Sequence, residues 1–155
     1  MGGFLLPERA KEAITIAITV LKNCSVVYNS VDLSDHVVSV ELPFDIEKLD
    51  STAMGANTKH SAPGLRDHGI KITFLQDYAT NKVDQTIGVD AAANPAPSRT
   101  LVVKPDSGAV AATNPSYTAT VFVSSYAPIA GSVGELQQAE VELAIASGDL
   151  ARATS

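Results

Sequence analysis

The side chains in this sequence that carry chemistry are few and scattered. His60 and His68 flank Asp67, and two imidazoles with one carboxylate make a zinc-binding set. Zinc ligands are closely spaced and rigidly mounted, whereas these imidazoles stand apart in a polar loop and His36 belongs to another segment. A solvated loop, or hydrogen bonding between chains, accounts for them better. Ser34-Asp35-His36 contains the three residue types of a hydrolase triad, but adjacent residues in an extended segment point their side chains apart. Ser and Asp bond nearby backbone groups instead, and so hold a corner between strands. Gly55-Ala56-Asn57-Thr58-Lys59-His60-Ser61 lacks both the glycine before lysine and the following helix that a phosphate-binding loop needs. Cys24 is the single cysteine; with no basic sequence neighbour to lower its pKa, it is expected to fill core space in a reducing compartment. Asn23-Cys24-Ser25 fits the glycosylation pattern, which has no consequence without export. The chain is therefore expected not to be an enzyme, and to take no metal and no cofactor.

Bulk properties narrow the class further. The 155 residues, 45% of them hydrophobic, suit one compact domain with a sizeable core. Aromatics make up 5% and Trp is absent, so Val, Ile, Leu and Ala must build that core, which favours thin β layers over a deep pocket. A net charge of −6 opposes any grip on nucleic acid, because affinity for phosphates comes from Lys and Arg displacing counterions. Met1-Gly2-Gly3-Phe4-Leu5-Leu6 has no basic region and no Ser or Thr at the sixth position, so neither export nor myristoylation is expected. The longest apolar-rich segment, Ile14 to Leu21, is well short of the roughly 20 residues that cross a bilayer, and a soluble chain is expected.

The elements that must position these residues are mostly strands. Ile14, Ile16, Ile18 and Val20 alternate with Thr15, Ala17 and Thr19, which predicts a strand in the leader. Ser25 to Tyr28 and Val31 to Leu33 flank the turn pair Asn29-Ser30 as a hairpin. Val37 to Leu42 alternates until Pro43 removes a donor. Ile46 to Met54 reads as a strand with neither face cleanly apolar, as suits one that meets another chain or a water-filled channel. Gly55 to Gly69 has no period and predicts a long projecting loop. Ile70, Ile72 and Phe74 alternate clearly. Val83 to Ala93 predicts one short helix despite Gly88, closed by Asn94-Pro95-Ala96-Pro97. Strands are then predicted over Arg99 to Lys104, Thr118 to Tyr126 and Leu136 to Ala146, followed by a frayed polar tail. Roughly seven strands and one short α-helix, without strand–helix alternation, predict a mainly β protein: an antiparallel β-sandwich or barrel.

The order of these pieces carries a resemblance. Val31-Asp32-Leu33-Ser34-Asp35-His36, the strand Val37 to Leu42, Asp50-Ser51-Thr52-Ala53-Met54-Gly55, Pro63-Gly64-Leu65-Arg66-Asp67 and the strand Ile70 to Phe74 together resemble the major tail tube proteins of long-tailed, siphovirus-type bacteriophages. Ser124-Ser125-Tyr126-Ala127-Pro128-Ile129-Ala130-Gly131-Ser132-Val133-Gly134 supports this as a second block, and the likeness spans about Leu21 to Ala151. It implies a leader or arm over 1–20, a tail tube β domain over 21–147 and a C-terminal tail over 148–155. It further implies a sandwich-like tail tube fold whose copies form stacked hexameric rings in the virion tail, assembled in the host bacterial cytoplasm with tape measure and terminator proteins. DNA would pass through without specific binding. The loop would reach an adjacent ring or subunit, with Leu65 as apolar anchor and Lys59, His60, Arg66 and Asp67 as polar contacts. Inward carboxylates would keep phosphates from settling on the channel wall, with Asp50, Glu140 and Glu142 as candidates. The alternatives are another virion ring protein, such as a tail terminator or contractile-tail tube, or a β-sandwich that binds a ligand.

Overall fold

A computed structural model describes Ile18 and residues 20–155. The strand expected in the leader falls almost wholly outside these residues. Nine strands follow: β1 (Ser25–Tyr28), β2 (Val31–Asp32), β3 (Val37–Glu41), β4 (Asp45–Asp50), β5 (Ser61–Asp67), β6 (Ile70–Leu75), β7 (Arg99–Lys104), β8 (Ser116–Ala130) and β9 (Gln138–Ala153). Seven of them form one antiparallel sheet in the order β2-β1-β7-β8-β9-β6-β3, while β4 and β5 pair only with each other. The protein is thus mainly antiparallel β with one short helix, its main sheet curled into a half-barrel.

Alternation in the sequence produces this curl around a single core. Ile70, Ile72 and Phe74 of β6 are buried on one face, as are Val121 and Val123 of β8 and Ala139, Val141 and Leu143 of β9. Period two places each set on one side of the pleat, and branched residues suit that surface. At the β1–β2 turn both Asn29 (φ 49°) and Ser30 (φ 64°) take left-handed backbone, as a two-residue hairpin turn requires.

The helical segment packs into the same core. A π-helical turn, Asp84–Gly88, runs into an α-helical turn, α1 (Val89–Ala92), and Val83 and Ile87 enter the core. Two polar pins fix it. Buried Asp90 accepts the Tyr28 hydroxyl proton at 2.8 Å and the Arg99 guanidinium at 3.1 Å. Asp84 accepts the Tyr126 hydroxyl at 3.0 Å, and Tyr126 in turn accepts from Gln76. Burial, the largest cause, together with Asp84 pushes the Tyr126 phenol up to about 12, while burial and then Asp90 raise Tyr28 as well. Strands β1, β7 and β8 are thereby tied to one short helix.

Two expectations need correction. The long loop is shorter than its composition suggests: only residues 51–60 connect β4 to β5, and Ser61–Asp67 is a strand. Pro63 and Gly64 hide it in the sequence, yet β5 pairs on one side only, where proline is tolerated. Nor is the C-terminus frayed, because β9 continues to Ala153 and Leu150 is buried. Ser147-Gly148-Asp149 reads as a breaker; in the structure Gly148 sits at φ 70° within a bulge that re-registers β9 on β8, with Thr120 opposite Ser147 and Thr118 opposite Ala151.

If this last strand belongs to the fold, Leu150→Ala should lower the unfolding free energy by about 2–4 kcal/mol, the cost of an emptied leucine site. Denaturant titration measures it, and an unchanged midpoint would mean that the tail is loose after all.

Candidate assembly surface

The β4–β5 hairpin pairs with no other strand, and all six residues of β4 are exposed. Its closing turn is held by Thr52: His60 N–H donates to Thr52 Oγ1 at 2.8 Å, and that hydroxyl donates to the His60 carbonyl at 3.2 Å. Asp50 accepts the Thr52 N–H at 2.9 Å, a contact that holds its carboxyl below the usual range. Asp50 therefore caps the turn and stands apart from the other acids proposed to share a channel wall with it. Lys59 and His60 lie in or beside this turn, while Leu65, Arg66 and Asp67 lie on β5. The five loop residues thus belong to one hairpin, split between its two ends.

The base of the hairpin is a clasp that the sequence does not announce. His68 is buried, with Nδ1 3.0 Å from the Pro43 carbonyl oxygen and Nε2 2.9 Å from Asp149 Oδ1. Arg66 Nη1 donates to the other Asp149 oxygen at 2.9 Å. Phe44 stands edge-on to the His68 ring, centroids 5.1 Å apart, and approaches Tyr117 of β8. His68 is therefore a structural joint, and β5 separates it from His60. Among the described residues no group of three or more His, Cys, Asp or Glu side chains is placed to hold a metal.

The 3₁₀ turn Ser34–His36 is a corner of similar kind. Ser34 Oγ accepts the Val26 N–H at 2.9 Å, and the Ser34 hydroxyl also bonds Asp32. His36 Nδ1 lies 2.6 Å from Asp35 and Nε2 lies 2.9 Å from Asp77. The helical turn, in place of the extended segment expected, lets the neighbouring Asp35 and His36 side chains meet. Burial opposes charge on His36, but the bonds to Asp35 and Asp77 outweigh it and raise its pKa. Ser34 faces β1 and not His36, so no triad forms.

Glu140 and Glu142 do share a surface. They project from the outward face of β9, where Thr73 and Lys71 of β6 are their register partners. Lys71 Nζ lies 3.5 Å from Glu142 and also stands opposite Glu41 on β3. Ser39, Ser125 and Ala127 complete an open trough across β3, β6, β9 and β8. Its floor is small and polar, and three carboxylates outnumber the one lysine. A second surface went unnoticed in the sequence: Ile129, Val133 and Leu136, all strongly exposed, crown the turn between β8 and β9. Apolar residues in a Gly- and Ser-rich turn were the available signal.

No family model and no curated protein matches this chain. Solved structures do resemble it. One is a chain from the virion of a native gene transfer agent particle, with a TM-score of 0.68 and 16% identity over 87% of this chain and 98% of that one. Another comes from the tail of an empty gene transfer agent particle of C6 symmetry, with a TM-score of 0.57 and 17% identity over 75% and 81%. A third belongs to the sheath–tube complex of an extracellular contractile injection system, with a TM-score of 0.62 and 10% identity over 92% and 95%. The chain shares the fold of these particle and tube components, in keeping with the tail tube resemblance of its sequence.

The clasp carries a pH dependence. The Leu150 N–H, followed by His68 and Arg66, holds the Asp149 carboxyl below its ordinary value. Such a group adds stability that is present above its unfolded pKa of about 4 and is lost as pH falls through the folded value. Amide protection in residues 61–67 should therefore drop below about pH 4 before that of β6 does. Asp149→Asn should show the same looseness at neutral pH; equal protection in both proteins at all pH values would exclude a clasp role.

Proposed function

We propose that this chain is a structural subunit of a virion tail tube. Copies close into hexameric rings, and the rings stack around a channel that DNA traverses without specific binding. Tape measure and terminator proteins are its partners in the tail, which assembles in the cytoplasm of a bacterial host. No bond is made or broken by the chain.

The observation that carries this reading is a half-barrel sheet, of a fold shared with particle and tube components, that leaves the edge strand β3 with one partner and a hairpin outside the sheet. An open edge invites another strand, and in a ring the next copy supplies it. The outward trough on β6 and β9 then becomes the channel wall, where Glu41, Glu140 and Glu142 face the phosphates and Lys71 is partly neutralised by Glu142. The exposed hairpin reaches the adjacent ring, with Leu65 as its apolar contact and Lys59, His60, Arg66 and Asp67 around it.

Negative-stain microscopy of the purified chain tests the proposal. Hollow filaments are expected, and deletion of residues 53–58 should leave rings or monomers that cannot elongate. Tubes of normal length from the deletion would refute the hairpin's role, and single rings from the intact chain would favour a terminator. Glu140→Lys with Glu142→Lys should preserve tube length but slow DNA delivery; unchanged delivery kinetics would remove these acids from the wall.

A further inference from the structure

We propose that the hairpin of one copy docks on the β8–β9 turn of the next copy along the axis, with Leu65 seated against Ile129, Val133 and Leu136. This rests on the tube reading and names the contact that stacks it. The pairing register fixes the geometry. Ile70 of β6 lies opposite Leu143 of β9, and Leu75 opposite Gln138. The hairpin ends at Asp67, just before Ile70, whereas the turn ends just before Gln138. Hairpin and turn therefore leave the sheet at opposite ends of β6, separated by its length of about 20 Å.

The chemistry of the two ends matches. Eight of the fourteen large apolar side chains exposed among the described residues fall at these two places: Phe44, Ile46, Leu49, Met54 and Leu65 at the hairpin, and Ile129, Val133 and Leu136 at the turn. Leu65 is 82% exposed and Val133 is fully so. Clustering of this kind marks an interaction site, where singly scattered apolar residues would not. The turn is also a preformed platform. Gln76 and Gln137 both donate to the Pro128 carbonyl, at 2.8 and 3.3 Å, and Gln137 donates to the Tyr78 hydroxyl at 2.9 Å. A rigid receptor loses little entropy when the hairpin arrives.

A second copy of this chain is the occupant because two unlike patches at opposite ends satisfy each other in a head-to-tail contact. Such a contact is heterologous: it leaves a free patch at each end and repeats without closing along its own direction. A foreign partner would cover one end and leave the other bare.

Cysteine cross-linking tests the pairing in a full-length Cys24→Ser background. Leu65→Cys with Val133→Cys in one chain, assembled and treated with a short bifunctional maleimide, should give a ladder of covalent multimers. Each single variant should give none, and an equal mixture of the two should stop at dimers. Tubes that form without a ladder would overturn the pairing while leaving the tube reading intact, as would cross-linking of Leu65→Cys alone, which means hairpin meeting hairpin. Failure of the unmodified chain to form any tube would sink the tube reading and the pairing together. A charge test needs no cysteines: Leu65→Lys and Val133→Glu should each block elongation, and their combination should restore it, whereas no restoration would contradict the contact.

Discussion

A sheet that does not close on itself leaves backbone donors and acceptors unpaired along both edges, and every architectural feature of this protein answers to that fact. One edge is blunted, since β2 is only two residues long. The other edge is β3, a five-residue strand paired to β6 alone. Beyond β3 the chain continues into a hairpin in which each strand has one partner and Pro63 guards the side of β5. These open edges are the places where the proposed assembly would add partner strands.

The core holds the sheet in its curl. That curl is set by alternating branched residues and held by one π-helical and one α-helical turn, pinned through Asp90 and Asp84 to tyrosines on β1 and β8. Removing Asp90 would leave the buried Tyr28 phenol without its acceptor, a costlier change than the loss of one exposed bond. Val83 and Ile87 of the helical segment join the same core as the strands. In the proposed tube, neighbouring chains complete the open edges and the outward trough serves as the wall.

Much of this was legible in the sequence, because strands with one buried face announce themselves by period two. The β1–β2 turn, the β6 alternation and the short helix were each predictable from local rules. What stayed hidden depends on long-range contacts. Ser61–Asp67 contains Pro63 and Gly64, and nothing local reveals that it pairs with β4. Asp149 sits in a polar segment after Gly148, and only the bulged register of β9 brings it to His68 and Arg66. Asp50 reads as a free acid until its bond to the Thr52 backbone is seen. The residues proposed for assembly are suggested by their order along the chain, while the turn bearing Ile129, Val133 and Leu136 gains its proposed role only from the register of β6 on β9.

Amide hydrogen exchange compared between dispersed and assembled protein reports directly on the unpaired edges. If other copies supply the missing strands, amides of β3 and of the β4–β5 hairpin will become strongly protected on assembly while those of β6 and β9 change little. Equal exchange along β3 and the hairpin in both states would contradict the account, because it would leave those edges open to water in the finished particle.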